Sequence, residues 1–179
     1  MSVLNLIANA DLRQRLAASR PRLYRLARSW LNSRAAAEDL AQETLLRAWA
    51  QRQGLRREAS LEAWLFTIMA NVFRDQLRRR REWVEVEEHD LVSSDTPESN
   101  AEQAGIVRRV RAAVMRLNDG QRQVLTLVDL EERSYAQTAE ILGIPVGTVM
   151  SRLARAREAL RRELGETETA ATGHLRIVR

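Results

Sequence analysis

The sequence contains no cysteine and no lysine, and it is poor in aromatic residues, glycine and proline. Without cysteine there is no disulfide framework, thiolate zinc site, iron–sulfur cluster or cysteine nucleophile. Because aromatic residues make up 4% of the 179 positions, the core must be built from leucine, alanine, valine and isoleucine. With 7 glycines and 3 prolines, the chain does not have the composition of a fibrous or turn-rich all-β protein.

Long apolar runs and targeting signals are also missing. No stretch approaches the ~18 apolar residues needed to cross a bilayer. The N-terminal segment MSVLNLIANADLRQRLAASR lacks the basic region, apolar region and cleavage site of a secretory signal. We therefore expect a cytoplasmic protein with no membrane insertion of its own.

Residues for catalysis are scarce as well. The two histidines, His89 and His174, make neither a metal cluster nor a catalytic triad with their neighbours. Gly147 and Thr148 are not part of a phosphate loop, because the glycine-rich run and its lysine are absent. The sequence predicts no enzymatic activity, no cofactor and no metal site.

Charge is present in abundance and is divided along the chain. Residues 1–81 carry a net charge of +9, residues 82–102 a net charge of −8 and residues 103–179 a net charge of +4. All basic residues are arginine, which a GC-rich genome explains without reference to function. Two basic blocks on either side of an acidic strip favour a polyanion held at two places.

The composition divides the chain into two helical domains, a linker and a tail. Residues 1–81 form a first domain, and residues 103–164 form a second. The acidic strip 82–102 contains a Ser-Ser-Asp-Thr-Pro turn cluster and little apolar periodicity, as is typical of a flexible linker. Residues 165–179 lack a periodic face and are predicted to be a tail.

Apolar residues recur at helical spacing in both domains, so the predicted fold class is all-α. Pro21 is expected to break or kink the first helix. Asn118 with Gln121, and Ser134 with Gln137, have the spacing of capping boxes. The predicted helices cover residues 11–31, 35–52, 60–81, 103–117, 119–131, 134–142 and 146–164.

The segment Ser134–Arg157 has the layout of a helix-turn-helix. A short apolar helix is followed by Gly143, where a helix commonly ends, and then by a longer arginine-rich helix. In such a motif the second helix enters the major groove of DNA, although short helix pairs of this kind also occur in ordinary bundles. Val146, Val149 and Leu153 are predicted to face the core. The residues left on the exposed side are candidates for DNA contact: Thr148, Met150, Ser151, Arg152 and Arg155.

The first domain carries two further charged features. The helix from Trp64 ends in RDQLRRRR, which either is a solvated helix end or binds phosphates. Arg74 and Arg78 share one helix face, and Asn71 precedes them on it. The acidic residues of AEDLAQET lie near a helix N-terminus, where negative charge is favourable, and this alone could explain them. The alternative is a contact with a protein partner, since acidic residues do not bind DNA.

Four segments of the chain, in order, resemble bacterial RNA polymerase sigma factors. The segments are LYRLARSWL, AAAEDLAQETLLRAWA, EASLEAWLFTIMANVFRDQLRRRR and LNDGQRQVLTLVDLEERSYAQTAEILGIPVGTVMSRLARAREALRREL. They are similar to the small extracytoplasmic-function (ECF) group, which keeps only regions 2 and 4. The resemblance covers roughly residues 20–164 and includes the linker between the two regions.

The resemblance implies a transcription initiation factor that directs core RNA polymerase to promoters by binding their −10 and −35 elements. In that family the loop corresponding to residues 51–59 captures a flipped base, and an anti-sigma protein commonly covers both domains. The family's polymerase-binding role falls on Asp39, Gln42 and Glu43. Its −10 role falls on Asn71, Arg74, Asp75, Arg78 and Arg79, and its −35 role falls on the candidates in the second helix of the helix-turn-helix.

Three positions depart from the family pattern. Met150 stands where a cation is common, Ala154 where a larger ring is common, and Thr138 where an aliphatic residue is usual. The loss of a cation at Met150 removes a possible guanine contact, which is worth ~1–3 kcal/mol of discrimination when it is bidentate. The −35 sequence is therefore expected to differ from that of typical members.

Two other functions compete with a sigma factor. A sigma mimic that sequesters an anti-sigma protein is disfavoured, because this chain keeps Arg74 and the run Arg78–Arg81 and has no receiver domain. A helix-turn-helix repressor that acts alone would leave the acidic AEDLAQET surface and the first domain unexplained.

Overall fold

A computed structural model describes residues 3–54, 60–83 and 101–165, and within these ranges the chain is helical with no β-strand. A 3-10 turn, Arg52–Gly54, follows the second helix, and a π-helical turn, Thr126–Leu130, follows the fifth. The predicted all-α fold class is thus confirmed. The α-helices are α1 (Val3–Trp30), α2 (Arg34–Ala50), α3 (Leu61–Trp83), α4 (Ala101–Arg116), α5 (Asp119–Leu125), α6 (Tyr135–Leu142) and α7 (Val146–Gly165).

Helix α1 begins earlier than predicted and does not break at Pro21. It runs unbroken from Val3 to Trp30 with Pro21 inside it, so the predicted break is wrong. Pro21 itself is exposed, whereas Leu16 and Leu23 on either side are buried. Packing of both flanks onto the core compensates for the backbone hydrogen bond that proline cannot make.

Helices α2 and α3 pack against α1 and complete the N-terminal half of the molecule. Ser33 caps α2, with its hydroxyl accepting a hydrogen bond from the Ala36 N–H at 3.3 Å. The inward face of α3 is fully buried, and it includes Leu65, Met69 and Phe73. The apolar stripe of α3 therefore fixes which of its residues remain on the outer face.

The C-terminal half contains α4 to α7. Both predicted capping boxes are present, at Asn118–Gln121 and at Ser134–Gln137, and Gly143 ends α6 in the left-handed conformation with φ of 63°. Val149 and Leu153 of α7 are buried as predicted. Val146 is 42% exposed, so its predicted core position is wrong. It is the first residue of α7 and lies between the exposed Pro145 and Gly147, whereas burial begins at Val149.

The predicted helix 119–131 is also not a single α-helix. It changes after Leu125 into the π-helical turn, in which the Glu131 N–H donates to the Thr126 carbonyl at 3.0 Å. Glu132 follows with a positive φ of 54°, which is uncommon for a residue other than glycine. A single π turn adds about one residue to one helical turn and leaves no apolar pattern of its own, so sequence periodicity did not predict it.

The two halves are packed on one another through a shared core. Trp30 at the end of α1 has no exposed surface, and its indole Nε1–H donates to the Thr126 hydroxyl at 2.7 Å. Arg122 donates to the main-chain oxygens of Trp30, Met115 and Leu117. Burial lowers the pKa of the Arg122 guanidinium. Among the helices that the structure describes, none is long and apolar enough to span a bilayer.

Gly143 and Gly147 allow a matched test of the helix-turn-helix geometry. A Cβ added at either position meets no atom within 4 Å, so crowding opposes neither substitution, and only Gly143 has a positive φ. We expect Gly143→Ala to destabilise the protein by about 1–2 kcal/mol, the cost of the left-handed conformation for a residue with a Cβ. Gly147→Ala, in the first turn of α7, should instead be neutral or stabilising by up to about 1 kcal/mol. Urea denaturation of both variants measures the difference, and equal destabilisation would contradict it.

Candidate functional site

The exposed surfaces of α2 and α3 enclose a groove of about 430 Å³. Asp39, Gln42 and Glu43, the predicted polymerase-binding residues, line its α2 side together with Leu46, which is 58% exposed. The spacing of Asp39, Gln42, Glu43 and Leu46 places them along one face of the helix. The groove thus combines acidic and amide groups with an exposed apolar side chain.

Arg47 joins the two walls of this groove. Its guanidinium donates to Glu43 at 2.8 Å along α2 and to Asp75 at 3.0 Å across to α3. The hydrogen bonds to Glu43 and Asp75 raise the pKa of Arg47. The hydrogen bond from Arg47 is likewise the main cause that lowers the pKa of Asp75, with a smaller contribution from the charges of Arg78 and Arg79. The ion pair between Arg47 and Asp75 is therefore fully charged at neutral pH.

Two of the five predicted −10 residues line the groove and two do not. Asp75 and Arg79 line it with the predicted polymerase-binding residues. Asn71 and Arg74 lie outside it, and the Arg74 guanidinium donates to the Asn71 side-chain oxygen at 3.3 Å. Arg78 is exposed and lies 3.7 Å from the Asp75 carboxylate.

The predicted −35 residues lie on α7, the second helix of the helix-turn-helix. Met150 is 54% exposed, and Ser151 and Arg155 are also exposed. Thr148 is half-buried and accepts a hydrogen bond from Ser151 at its main-chain oxygen, at 3.1 Å. Arg152 lies over Gly120, where an added Cβ would be 2.8 Å from its guanidinium nitrogen. Four of these side chains are therefore placed at the surface or its edge, and Arg152 is folded against α5.

Sequence reasoning missed four members of the groove: Leu46, Arg47, Val72 and Gln76. Arg47 stands four residues after Glu43, a spacing that could have indicated the ion pair within α2. Its second bond to Asp75, 28 residues further on, depends on how α2 and α3 pack and leaves no signal in the sequence. The predicted base-capturing loop includes residues 55–59, which lie outside the described residues, as do the side chains of Arg80 and Arg81.

Two family profiles match the chain in the order of its two halves. The profile "Sigma-70 region 2" matches residues 16–82, and the profile "Sigma-70, region 4" matches residues 108–160. The groove and α3 fall within the first match, and α6 and α7 fall within the second. Both regions on one chain define the class of protein: a sigma-70-type factor, which binds core RNA polymerase and directs it to promoters.

Curated relatives narrow the class to one group. The chain is 40% identical over 152 residues to the ECF RNA polymerase sigma factor EcfG of Rhodopseudomonas palustris, covering 84% of this chain and 83% of the relative. It is 36% identical to the ECF sigma factor SigM of Mycobacterium tuberculosis, over 82% and 74% of the two chains. This chain belongs to the ECF RNA polymerase sigma factors.

Solved structures of sigma factors are similar to both halves taken together. The sigma factor RpoE of Bartonella quintana, in a complex with the anti-sigma factor NepR, matches with a TM-score of 0.75 and 31% identity, covering 87% of this chain and 97% of that one. CnrH, in a complex with the cytosolic domain of CnrY, matches with a TM-score of 0.63 and 26% identity over 86% of each chain.

The titration of Asp75 tests the ion pairs of the groove. Its folded pKa lies below the ordinary 3.8, so its bond to Arg47 stabilises the fold above that pH. This stabilisation is lost as the pH falls through the folded pKa. We expect Arg47→Gln to raise the pKa of Asp75 toward 3.8, as followed by carboxyl-carbon NMR. Arg78→Gln removes a weaker influence and should raise it less, and an equal rise in both variants would contradict the assignment.

Proposed function

We propose that this sigma factor binds core RNA polymerase through the α2–α3 groove, contacts the −10 element with α3 and contacts the −35 element with α7. The observation that carries the proposal is the position of Asp39, Gln42 and Glu43 on one groove wall, on the same helical unit as Asn71 and Arg74. The chain supplies base readout and has no catalysis of its own, because the polymerase performs the chemistry. Since transcription takes place on the chromosome, we place its action in the cytoplasm.

The groove has the composition of a protein-binding surface rather than a DNA-binding one. Asp39 and Glu43 would repel phosphates, whereas a basic and apolar helix of a partner would find both carboxylates and the exposed Leu46. Asp75 contributes to this proposed surface through Arg47, in addition to its proposed place near the −10 element. The proposed polymerase contact and the proposed −10 contact are therefore adjacent on α3, because Asp75 belongs to both.

Replacement of Asp39 tests the polymerase contact. Asp39 is exposed and lines the groove, so Asp39→Ala should leave the fold intact and weaken core polymerase binding about tenfold, the scale of an interface residue worth 1–2 kcal/mol. Asp11→Ala is the matched control, because Asp11 is an exposed acid on α1 and does not line the groove. Its carboxylate lies 3.8 Å from the Arg15 guanidinium, which is a long ion pair. Fluorescence titration with purified core polymerase measures both affinities. Equal affinities of the two variants would contradict the proposed groove contact.

The exposed face of α7 is proposed to enter the major groove at the −35 element. Helix α6 and the left-handed Gly143 fix the angle of α7, and Ser151 and Arg155 lie on its outer surface. A helix presented in this way contacts base edges with its N-terminal residues and phosphates with more distant cations. Met150 contributes an apolar contact, such as one with a thymine methyl group, in place of a cation.

Arg155 and Arg161 give a matched pair for this contact, because both are exposed arginines of α7. Arg155→Ala should weaken the complex of polymerase, sigma factor and promoter about 5- to 150-fold, the scale of a base or phosphate contact worth 1–3 kcal/mol. Arg161, which pairs with Glu158 near the helix end, should change it little when replaced by alanine. Run-off transcription across a pool of genomic promoters gives both the loss and the shared upstream motif. A uniform loss in both variants would indicate only a general charge effect.

We also propose that an anti-sigma protein regulates this chain. The Bartonella sigma factor that it resembles over 87% of its length was solved with the anti-sigma factor NepR. The similarity extends over both halves of the chain and not over the helix-turn-helix alone. Such an extent is needed if one partner is to cover both domains. The linker proposed at residues 82–102 lies largely outside the described residues and stays a prediction from the sequence.

A further inference from the structure

We propose that Gly120 of α5 is a positioning residue for promoter binding, because it leaves the space in which Arg152 of α7 holds its guanidinium toward a phosphate of the −35 element. The inference rests on the proposed function, since it adds detail to the proposed contact of α7 with DNA. It assigns a role to Gly120, which belongs to none of the predicted contacts. It also assigns one class of DNA contact to Arg152, which is among the predicted −35 residues.

The backbone at Gly120 does not require a glycine. Gly120 lies in the first turn of α5, and among the glycines that the structure describes only Gly143 has a positive φ. A glycine inside a helix is less stable there than an alanine, because it loses more conformational freedom on folding. The surroundings of Gly120 give a different reason for a glycine at this position.

Those surroundings are the side chain of Arg152. A Cβ built on Gly120 would lie 2.8 Å from the Nη1 atom of Arg152, 3.0 Å from its Cζ and 3.3 Å from its Nε. Heavy atoms that are not bonded repel one another at such distances, since their optimal separation is about 3.5–4.0 Å. The main chain of α7 is held at this point by the buried side chains of Val149 and Leu153. An alanine at position 120 would therefore displace the guanidinium and leave both helices in place.

Arg152 is half-buried, yet its guanidinium has no hydrogen-bond or ion-pair partner among the described residues. Each of the other half-buried arginines in the described part of the chain donates to a carboxylate or a main-chain oxygen, as Arg47 and Arg122 do. Asp119, the acid next to Gly120, lies 3.7 Å from Arg122 instead. A partly desolvated charge without a partner is unfavourable, so the guanidinium of Arg152 is available to an anion from outside the protein.

The place of Arg152 on α7 favours a phosphate over a base. Met150, Ser151 and Arg155 form the exposed face that is proposed to meet the base edges, whereas Arg152 is turned aside against α5. An α-helix with its side chains is about 10–12 Å wide and the major groove about 12 Å wide, so the flanks of the helix meet the phosphates at the groove edges. A planar guanidinium there can donate two hydrogen bonds to one phosphate.

The early part of α7 depends on this one charge. Arg152 is the single cation among residues 146–154, since Met150 is apolar and the next arginine is Arg155. Phosphate contacts fix the register and orientation of a protein on the duplex but carry no sequence information. Gly120 thus orients the cation that would hold the base-reading turns of α7 in the groove.

The test is a double-mutant cycle in the full chain, bound to core polymerase. Its members are Gly120→Ala, Arg152→Ala and the two together, with Gly105→Ala as the matched control. Gly105 is also a helical glycine, in α4, and a Cβ added there meets no atom within 4 Å. Thermal melting followed by circular dichroism comes first. Both glycine variants should keep the melting temperature or raise it by up to about 4 °C, because alanine favours a helix.

The main readout is the affinity of the polymerase–sigma complex for several promoters at several salt concentrations. Arg152→Ala should weaken promoter binding about tenfold, the scale of one hydrogen bond from a charged group, and reduce the slope of log affinity against log salt by about 1. Gly120→Ala should weaken binding about three- to tenfold although the protein is no less stable. It should have no further effect where Arg152 is already alanine. Both losses should be equal across promoters, and Gly105→Ala should cause none.

Other results would overturn the inference in distinguishable ways. A loss from Gly120→Ala that persists without Arg152 would mean that Gly120 serves only the packing of α5 on α7. Losses confined to particular promoters would mean that Arg152 reads a base, and weaker binding to core polymerase alone would place Arg152 at a protein interface. Normal promoter binding by both variants would overturn this inference alone. If the unchanged sigma factor formed no promoter complex with polymerase, the proposed function would be wrong and this inference with it.

Discussion

The burial of Trp30 is the constraint on which the arrangement of both halves depends. Its ring packs 5.3 Å from that of Phe73, its indole nitrogen donates to Thr126, and its main-chain oxygen accepts from Arg122. The indole N–H and the main-chain oxygen of Trp30 are therefore both hydrogen-bonded to the other half of the chain. If the halves separated, the indole would lose this bond and Arg122 would lose one of its three main-chain acceptors.

Most of the secondary structure could be predicted from the sequence, because the signals that begin, continue and end a helix depend on residues a few positions apart. The capping boxes at Asn118 and Ser134 and the glycine at 143 begin or end helices by bonds within one turn. The errors have a different origin. Pro21 stays inside a helix because Leu16 and Leu23 anchor both sides, and the π turn after Leu125 places Thr126 opposite Trp30, 96 residues away.

Only part of the candidate site was predicted from the sequence, and the grouping of its residues was not. The resemblance to sigma factors indicated Asp39, Gln42 and Glu43 of α2, and helical spacing placed Arg74 near Asn71 on α3. The bond of Arg47 to Asp75, which brings a proposed −10 residue into the groove, crosses between helices. Such a contact is set by packing distance and crossing angle, which a single sequence does not encode locally.

The same separation of local and long-range signals applies to the arrangement of the two halves. Helical periodicity predicts the exposed faces of α2, α3 and α7, on which the proposed polymerase and DNA contacts lie, because each face is formed by residues close in the sequence. The contacts between the halves join residues far apart in the sequence, such as Arg22 and Glu131. Arg74 takes part in both, because it is a proposed −10 contact and also donates to the main-chain oxygen of Leu142 in the other half. A contact of Arg74 with DNA would therefore have to replace its bond to Leu142.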